Sequence, residues 1–135
     1  GPVFPLKSID FNGNTGPFIQ YTYARIKSVI RKSQTALPLS SSFTLALEPK
    51  EIELVKLLNL YPDVINEAAN ALSPSLIAGY AYDLAKEYNQ FYHELTILKE
   101  SDEEKRLFRL ALSSLTARVI SDALSILGIE VPERM

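Results

Sequence analysis

Phe18, Tyr21, Arg25, Ser28 and Lys32 recur at intervals of three and four residues, with Gln20, Lys27 and Arg31 beside them. On a helix this spacing draws one stripe, with aromatic rings toward the N-terminal end and cations toward the C-terminal end. The cations also complement the negative end of the helix dipole. Such a surface suits a ligand with flat faces and negative charge, and single-stranded RNA has both. The opposing reading makes both rings core and the basic residues a solvated face. Apolar stripes at helical spacing usually mean that, and the stripe taken alone favours it.

Little else in the chain offers chemistry. There is one histidine, His93, and no cysteine, so disulfides and thiolate metal sites are excluded and no second imidazole is present to share a metal. His93 adjoins Glu94, but neighbouring side chains on a helix point apart. Glu51 with Glu53, and Asp102 to Glu104, fall at expected helix starts, where capping and the dipole account for them better than acid–base work. Gly13-Asn14-Thr15-Gly16 precedes a helix but lacks the length and the lysine of a phosphate loop. The residues describe a non-catalytic module with one aromatic–basic face, with no catalytic residue and no metal site.

The charge distribution is uneven. Lys7, Arg25, Lys27, Arg31 and Lys32 stand against Asp10 alone in residues 1–36, while nine cations face fifteen acids in the remainder, for a formal net charge of -2. A nucleic acid would therefore be met by a local patch and not by global attraction. A chain of 135 residues is one domain by size. Folding should bury roughly 65–70% of its unfolded surface. No apolar run approaches the ~20 residues of a membrane span and no signal-peptide pattern is present. The expectation is a cytoplasmic protein with no membrane partner.

The elements that must position the stripe follow from punctuation and period. A first helix starts near Pro17, capped by Asn14 or Thr15, with Ile19, Thr22 or Tyr23, Ile26 and Val29 or Ile30 as its buried positions. Residues 33–47 read as a loop broken by Pro38, Ser40 to Ser42 and Thr44. A second helix begins at Glu48-Pro49-Lys50-Glu51, burying Ile52, Val55 and Leu58 with Leu54 and Leu57, and ends near Asn59. Tyr61-Pro62-Asp63 opens a third with Val64, Ile65, Ala68, Ala69 and Leu72. Ser73-Pro74 opens a long fourth, whose inner face reads Ile77, Tyr80, Ala81, Leu84, Tyr88, Phe91, Leu95 and Leu98. Ser101 with Glu104 reads as a capping box for a fifth, with Leu107, Leu110, Ala111, Leu115, Val119, Ala123 and Leu127 inward and Gly128 as terminator. The fold class is all-α, a bundle of about five helices, the last two antiparallel across a short connection.

Three stretches also carry a family likeness. Gly16-Pro17-Phe18-Ile19-Gln20-Tyr21-Thr22-Tyr23-Ala24-Arg25-Ile26 resembles the helix that follows the catalytic core in arginyl-tRNA synthetases. Tyr82-Asp83-Leu84-Ala85 followed by Phe91-Tyr92-His93 is similar to a second family segment. Leu127-Gly128-Ile129 with Pro132-Glu133-Arg134-Met135 is similar to the family's ending. Asp122-Ala123-Leu124 resembles the tripeptide that names the DALR anticodon-binding domain, with Ser125 where the name has arginine. The likeness runs from Asn12 to Met135 and leaves out only the loop at 33–47.

The resemblance implies a bacterial-type class I parent that joins arginine to its tRNA using ATP with magnesium. The parent's ATP signatures, a His-x-Gly-His segment and a Lys-Met-Ser-Lys-Ser loop, are absent from these residues. Residues 1–14 are then expected to be the exit from a catalytic domain of the same chain, and residues 15–135 a tRNA anticodon-binding domain without cofactor of its own. By the same resemblance Phe18 and Tyr21, with Gln20 beside them, lie against the anticodon loop of arginine tRNA, Tyr92 near its middle base and Met135 at the loop's end. Arg25, Lys27, Arg31 and Lys32 are expected on phosphates. Phe18 stands where many relatives carry tyrosine, which keeps stacking and loses a hydroxyl. The competing class is a helical protein-interaction scaffold using the same face, whose binding would depend little on salt.

Overall fold

The computed structural model describes residues 15–37 and 43–132. Asn14 as a cap, residues 1–14 as an exit segment, Pro38 and Ser40 to Ser42 as loop breakers, and Met135 lie outside the described residues. Within them are five helices and no strand: α1 Thr15–Ser33, α2 Pro49–Asn59, α3 Tyr61–Ala71, α4 Pro74–Glu94 and α5 Glu103–Ile126. Each of the first four carries a proline in its opening turn, where the missing N–H has no helical partner to lose. Leu60 alone separates α2 from α3, so the pair bends without a true loop.

α4 is the central element and packs against all four others. Its Ile77, Tyr80, Ala81, Leu84, Tyr88 and Phe91 are buried as the period predicts. They meet Ile19 and Ile26 of α1, Leu54 of α2 and Leu110, Ile120 and Leu124 of α5 in one core. Each leucine- or isoleucine-sized side chain withdrawn from water contributes about 1.5–3 kcal/mol, which is what holds helices this short in place. α5 runs back along α4, since Tyr88 bonds Ser113 while Thr96, just past the end of α4, bonds Arg109.

The structure departs from the periodic reading in four places. Leu72 is not part of α3's buried face. It closes the helix in the left-handed region at φ 51 and is 78% exposed, because Ser73 N–H returns to Ala68 O at 2.9 Å and turns the chain outward. α4 stops at Glu94, where Leu95 is extended at φ -121 and ψ 137. Leu98 therefore faces solvent, and Ile97 fills the core instead. The residue that caps α5 is Asp102, not Ser101, with its carboxylate accepting Lys105 N–H at 3.2 Å. A carboxylate three residues into a helix does reach back at α2, where Glu48 N–H donates to Glu51 Oε1 at 2.7 Å.

The fourth departure is the largest. Leu115 is exposed, while Arg109, Ser113 and Thr116 are buried. The hydroxyls are satisfied within their own helix: Ser113 donates to Arg109 O at 2.8 Å and Thr116 to Leu112 O at 2.7 Å. Likewise Ile52 faces solvent on α2 and Glu51 turns inward, because Arg109 waits there to meet it.

Three tyrosines give the core a pH dependence. Burial raises the pKa of Tyr80, of Tyr88, and of Tyr61, whose hydrogen bond to Asp122 adds to the effect. In the unfolded chain a tyrosine titrates near 10. The folded state keeps protons that the unfolded state gives up, so this stability is complete below that pH and falls as pH rises past it. The urea midpoint should therefore drop between pH 8 and pH 11. A midpoint unchanged over that interval would contradict the upward shifts of these tyrosines.

Candidate nucleic-acid interface

The seam between α1 and α4 gathers the chemistry. Arg25 places its guanidinium carbon 4.4 Å from the ring centroid of Tyr92 and 5.0 Å from that of Tyr21. One terminal nitrogen donates to the Tyr21 hydroxyl at 2.7 Å. The other donates to Asn89 Oδ1 at 2.7 Å and lies 3.4 Å from His93 Nε2. A cation between two electron-rich faces is attracted to both, and its plane fixes theirs.

A second chain of bonds holds this arrangement. Asn89 Nδ2 donates to Thr22 Oγ1 and to Ala85 O, both at 2.8 Å, and Thr22 donates to Phe18 O at 2.9 Å. Asn89 is thereby fixed from its own helix and from α1, and presents its carbonyl to Arg25. Tyr92 leans on the buried Tyr88 at 6.4 Å between centroids, and His93 meets Tyr92 edge-on at 5.3 Å. Tyr21 remains 42% exposed, so the cluster leaves one ring open to a ligand. Beside it a cavity of about 320 Å³ opens among Val29, Tyr92, His93, Leu95, Ile97 and Lys99.

Of the residues singled out in the sequence, the structure brings Tyr21, Arg25 and Tyr92 together. Phe18 lies one turn earlier on the same seam, half-buried and tilted against Tyr82 at 5.8 Å. Gln20 points elsewhere: its Nε2 donates to Glu130 O at 3.1 Å, tying α1 to the segment after α5. Lys27 faces α5 across a separate groove, and Arg31 and Lys32 are exposed at the end of α1. Met135 lies outside the described residues.

Asn89 and His93 are the residues that the sequence reading missed as parts of this site. The available signal was a polar pair four residues apart on an otherwise apolar helix face, flanking Tyr92. Among the described residues no group of three or more His, Cys, Asp or Glu could hold a metal ion, and no helix is long and apolar enough to cross a membrane. The cluster's chemistry is that of stacking and planar hydrogen bonding.

Comparison with known proteins agrees in sequence and in shape. Residues 19–135 match the DALR anticodon binding domain. The chain is 51% identical over 134 residues to the arginine–tRNA ligase of Parabacteroides distasonis, covering 97% of this chain and 22% of that protein. It is 53% identical over 131 residues to that of Flavobacterium psychrophilum, with the same shares covered. Among solved structures, Thermus thermophilus arginyl-tRNA synthetase superposes with a TM-score of 0.81 at 30% identity, over 93% of this chain and 22% of that one. The arginyl-tRNA synthetase of Plasmodium falciparum gives 0.74 at 28% identity over the same shares. The chain thus spans about a fifth of the length of these relatives.

Proposed function

We propose, from the premise that the chain belongs to the DALR anticodon binding domain family, that it reads the anticodon loop of arginine tRNA for an arginine–tRNA ligase. The observation that carries this reading is Arg25 held between Tyr21 and Tyr92. Arginine codons share a middle G, so the cognate anticodons share a middle C. A base is read in single-stranded RNA by being splayed out, stacked on a ring or guanidinium plane and bonded along its edge. Tyr21 supplies the open ring, with Phe18 beside it. Arg25 and Tyr92 form the planar wall near the middle base. Gln20, beside these rings on α1, ties that helix to Glu130, and family likeness assigns Gln20 to the loop and Met135 to the loop's end.

Lys27, Arg31 and Lys32, with Arg25, supply positive charge for phosphates, which adds affinity without sequence information. Residues 1–14 lead in from the catalytic domain of the same polypeptide, and residues 15–135 form the anticodon-binding domain. The ligation itself, with arginine, ATP and magnesium, belongs to that other domain. The donors described here do not group into a magnesium site. The setting for such an enzyme is the cytoplasm.

The test separates base stacking from charge. Tyr21→Ala should weaken binding of an arginine-tRNA anticodon hairpin by about 1–3 kcal/mol with little change in its salt dependence. Lys32→Gln should weaken every RNA about equally and flatten the slope of log K against log salt by about one. Unchanged affinity in both variants would support the scaffold reading and sink this one.

A further inference from the structure

On the other side of α1 a groove of about 590 Å³ runs between α1 and α5, bounded by Tyr23, Tyr61 and the exposed Leu115. Two cations face it, Lys27 from α1 and Arg118 from α5, together with the hydroxyls of Ser114, Ser121 and Ser125. Neither cation forms an ion pair or side-chain hydrogen bond among the described residues. For Arg118 this is notable, because Asp122 sits four residues on, where an i,i+4 partner would stand. Asp122 is engaged otherwise: its Oδ2 accepts the Tyr61 hydroxyl at 2.5 Å. The same contact fixes the one carboxylate that lines the groove against its wall, and leaves the guanidinium free in a chain of net charge -2.

We propose that this groove binds the sugar–phosphate backbone of the same RNA, with Arg118 as a phosphate contact paired across the groove with Lys27. The proposal rests on the anticodon-loop reading above and extends it from the bases to the path of the strand. Unpaired cations beside hydroxyl donors are the groups that meet phosphate and ribose without reading sequence. Position along the helix agrees: Lys27 is six residues beyond Tyr21, about 9 Å along the axis at 1.5 Å per residue. A strand with one base on Tyr21 then reaches the groove within its next nucleotides. Leu115 is the one large exposed hydrophobic residue in the groove, which leaves an apolar protein surface little to cover there.

The experiment uses the 135-residue chain, an arginine-tRNA anticodon hairpin and a hairpin of the same stem with a scrambled loop, titrated from 50 to 200 mM salt. Arg118→Gln is expected to weaken both hairpins by the same factor. It should also reduce the salt-induced loss over that range by about threefold, one contact's share. Arg118→Lys, which keeps the charge, is expected to keep the slope. Arg118 is exposed and unpaired, so circular dichroism should be unchanged in both variants. Unchanged affinity and slope in Arg118→Gln, with Tyr21→Ala still impaired, would overturn the groove and leave the anticodon reading standing. Loss of binding to the rest of the ligase without loss of RNA affinity would overturn it in favour of a protein partner. Failure of the unaltered chain to bind either hairpin would overturn both.

Discussion

Arg109→Leu is expected to lower the unfolding free energy by about 3–5 kcal/mol, as removal of one partner from a buried ion pair does. Arg109 Nε donates to Glu51 Oε2 at 2.9 Å, and its Nη1 donates to Thr96 O at 2.7 Å and to Glu100 Oε1 at 2.8 Å. One guanidinium so joins α5 to α2 and to the connection after α4. Both Arg109 and Glu51 are buried. With the arginine gone, Glu51 keeps only the Glu48 N–H and is left as a charge in the core. Urea denaturation monitored by helix signal measures the loss, with the slope expected to stay constant. The double variant Glu51→Leu with Arg109→Leu should recover part of it, since a well-packed apolar pair often equals a buried ion pair. A loss below about 1 kcal/mol in the single variant would mean that the pair is not the tie it looks to be.

What the sequence discloses, and what it conceals, divides along the distance between interacting groups. Helix starts at Pro49, Pro62 and Pro74 are legible because the proline effect is confined to the residues that carry it. The buried face of α1 is legible because Ile19, Ile26 and Val29 hold a helical period with no competitor. α5 misleads for a physical reason: Ser113 and Thr116 satisfy their hydroxyls on carbonyls one turn back, so polar side chains enter the core at little cost and shift the buried face. The end of α4 is hidden because Leu95 and Leu98 keep the period past the point where the backbone turns.

In the site, Tyr21 and Arg25 are four residues apart on one helix and could be paired from spacing alone. Asn89 and His93 meet Arg25 across 64 and 68 residues, and their local spacing marks a polar pair without naming its partner on α1. Tyr92 entered through family likeness alone, and the structure sets its ring 4.4 Å from the Arg25 guanidinium carbon. Glu51 shows the same limit in the core. Its reach to the Glu48 N–H is a local matter of helix capping, whereas its pairing with Arg109 spans 58 residues.

Arg25 also separates the two contributions that a cation makes to RNA recognition, and its variants should have the largest effect on binding. Arg25→Ala removes a charge, a stacking plane and hydrogen bonds to Tyr21 and Asn89. Those bonds are internal to the free chain and set the position of Tyr21. What RNA binding loses is a phosphate charge and the stacking of about 1–3 kcal/mol that the placed rings supply, so affinity for the anticodon hairpin should fall roughly a hundredfold. Arg25→Lys keeps the charge, but an ammonium has no plane to lie between two rings and no fork to bond Tyr21 and Asn89 together. Its affinity should fall about tenfold while the slope against salt stays that of the unaltered chain. Arg25→Ala should flatten that slope as well. Fold stability should change little in either, because Arg25 lies at the edge of the core and Asn89 keeps its bonds to Thr22 and Ala85. Full hairpin affinity in Arg25→Lys would show that only charge is used at this position, and the planar wall of Arg25 and Tyr92 would have to be given up.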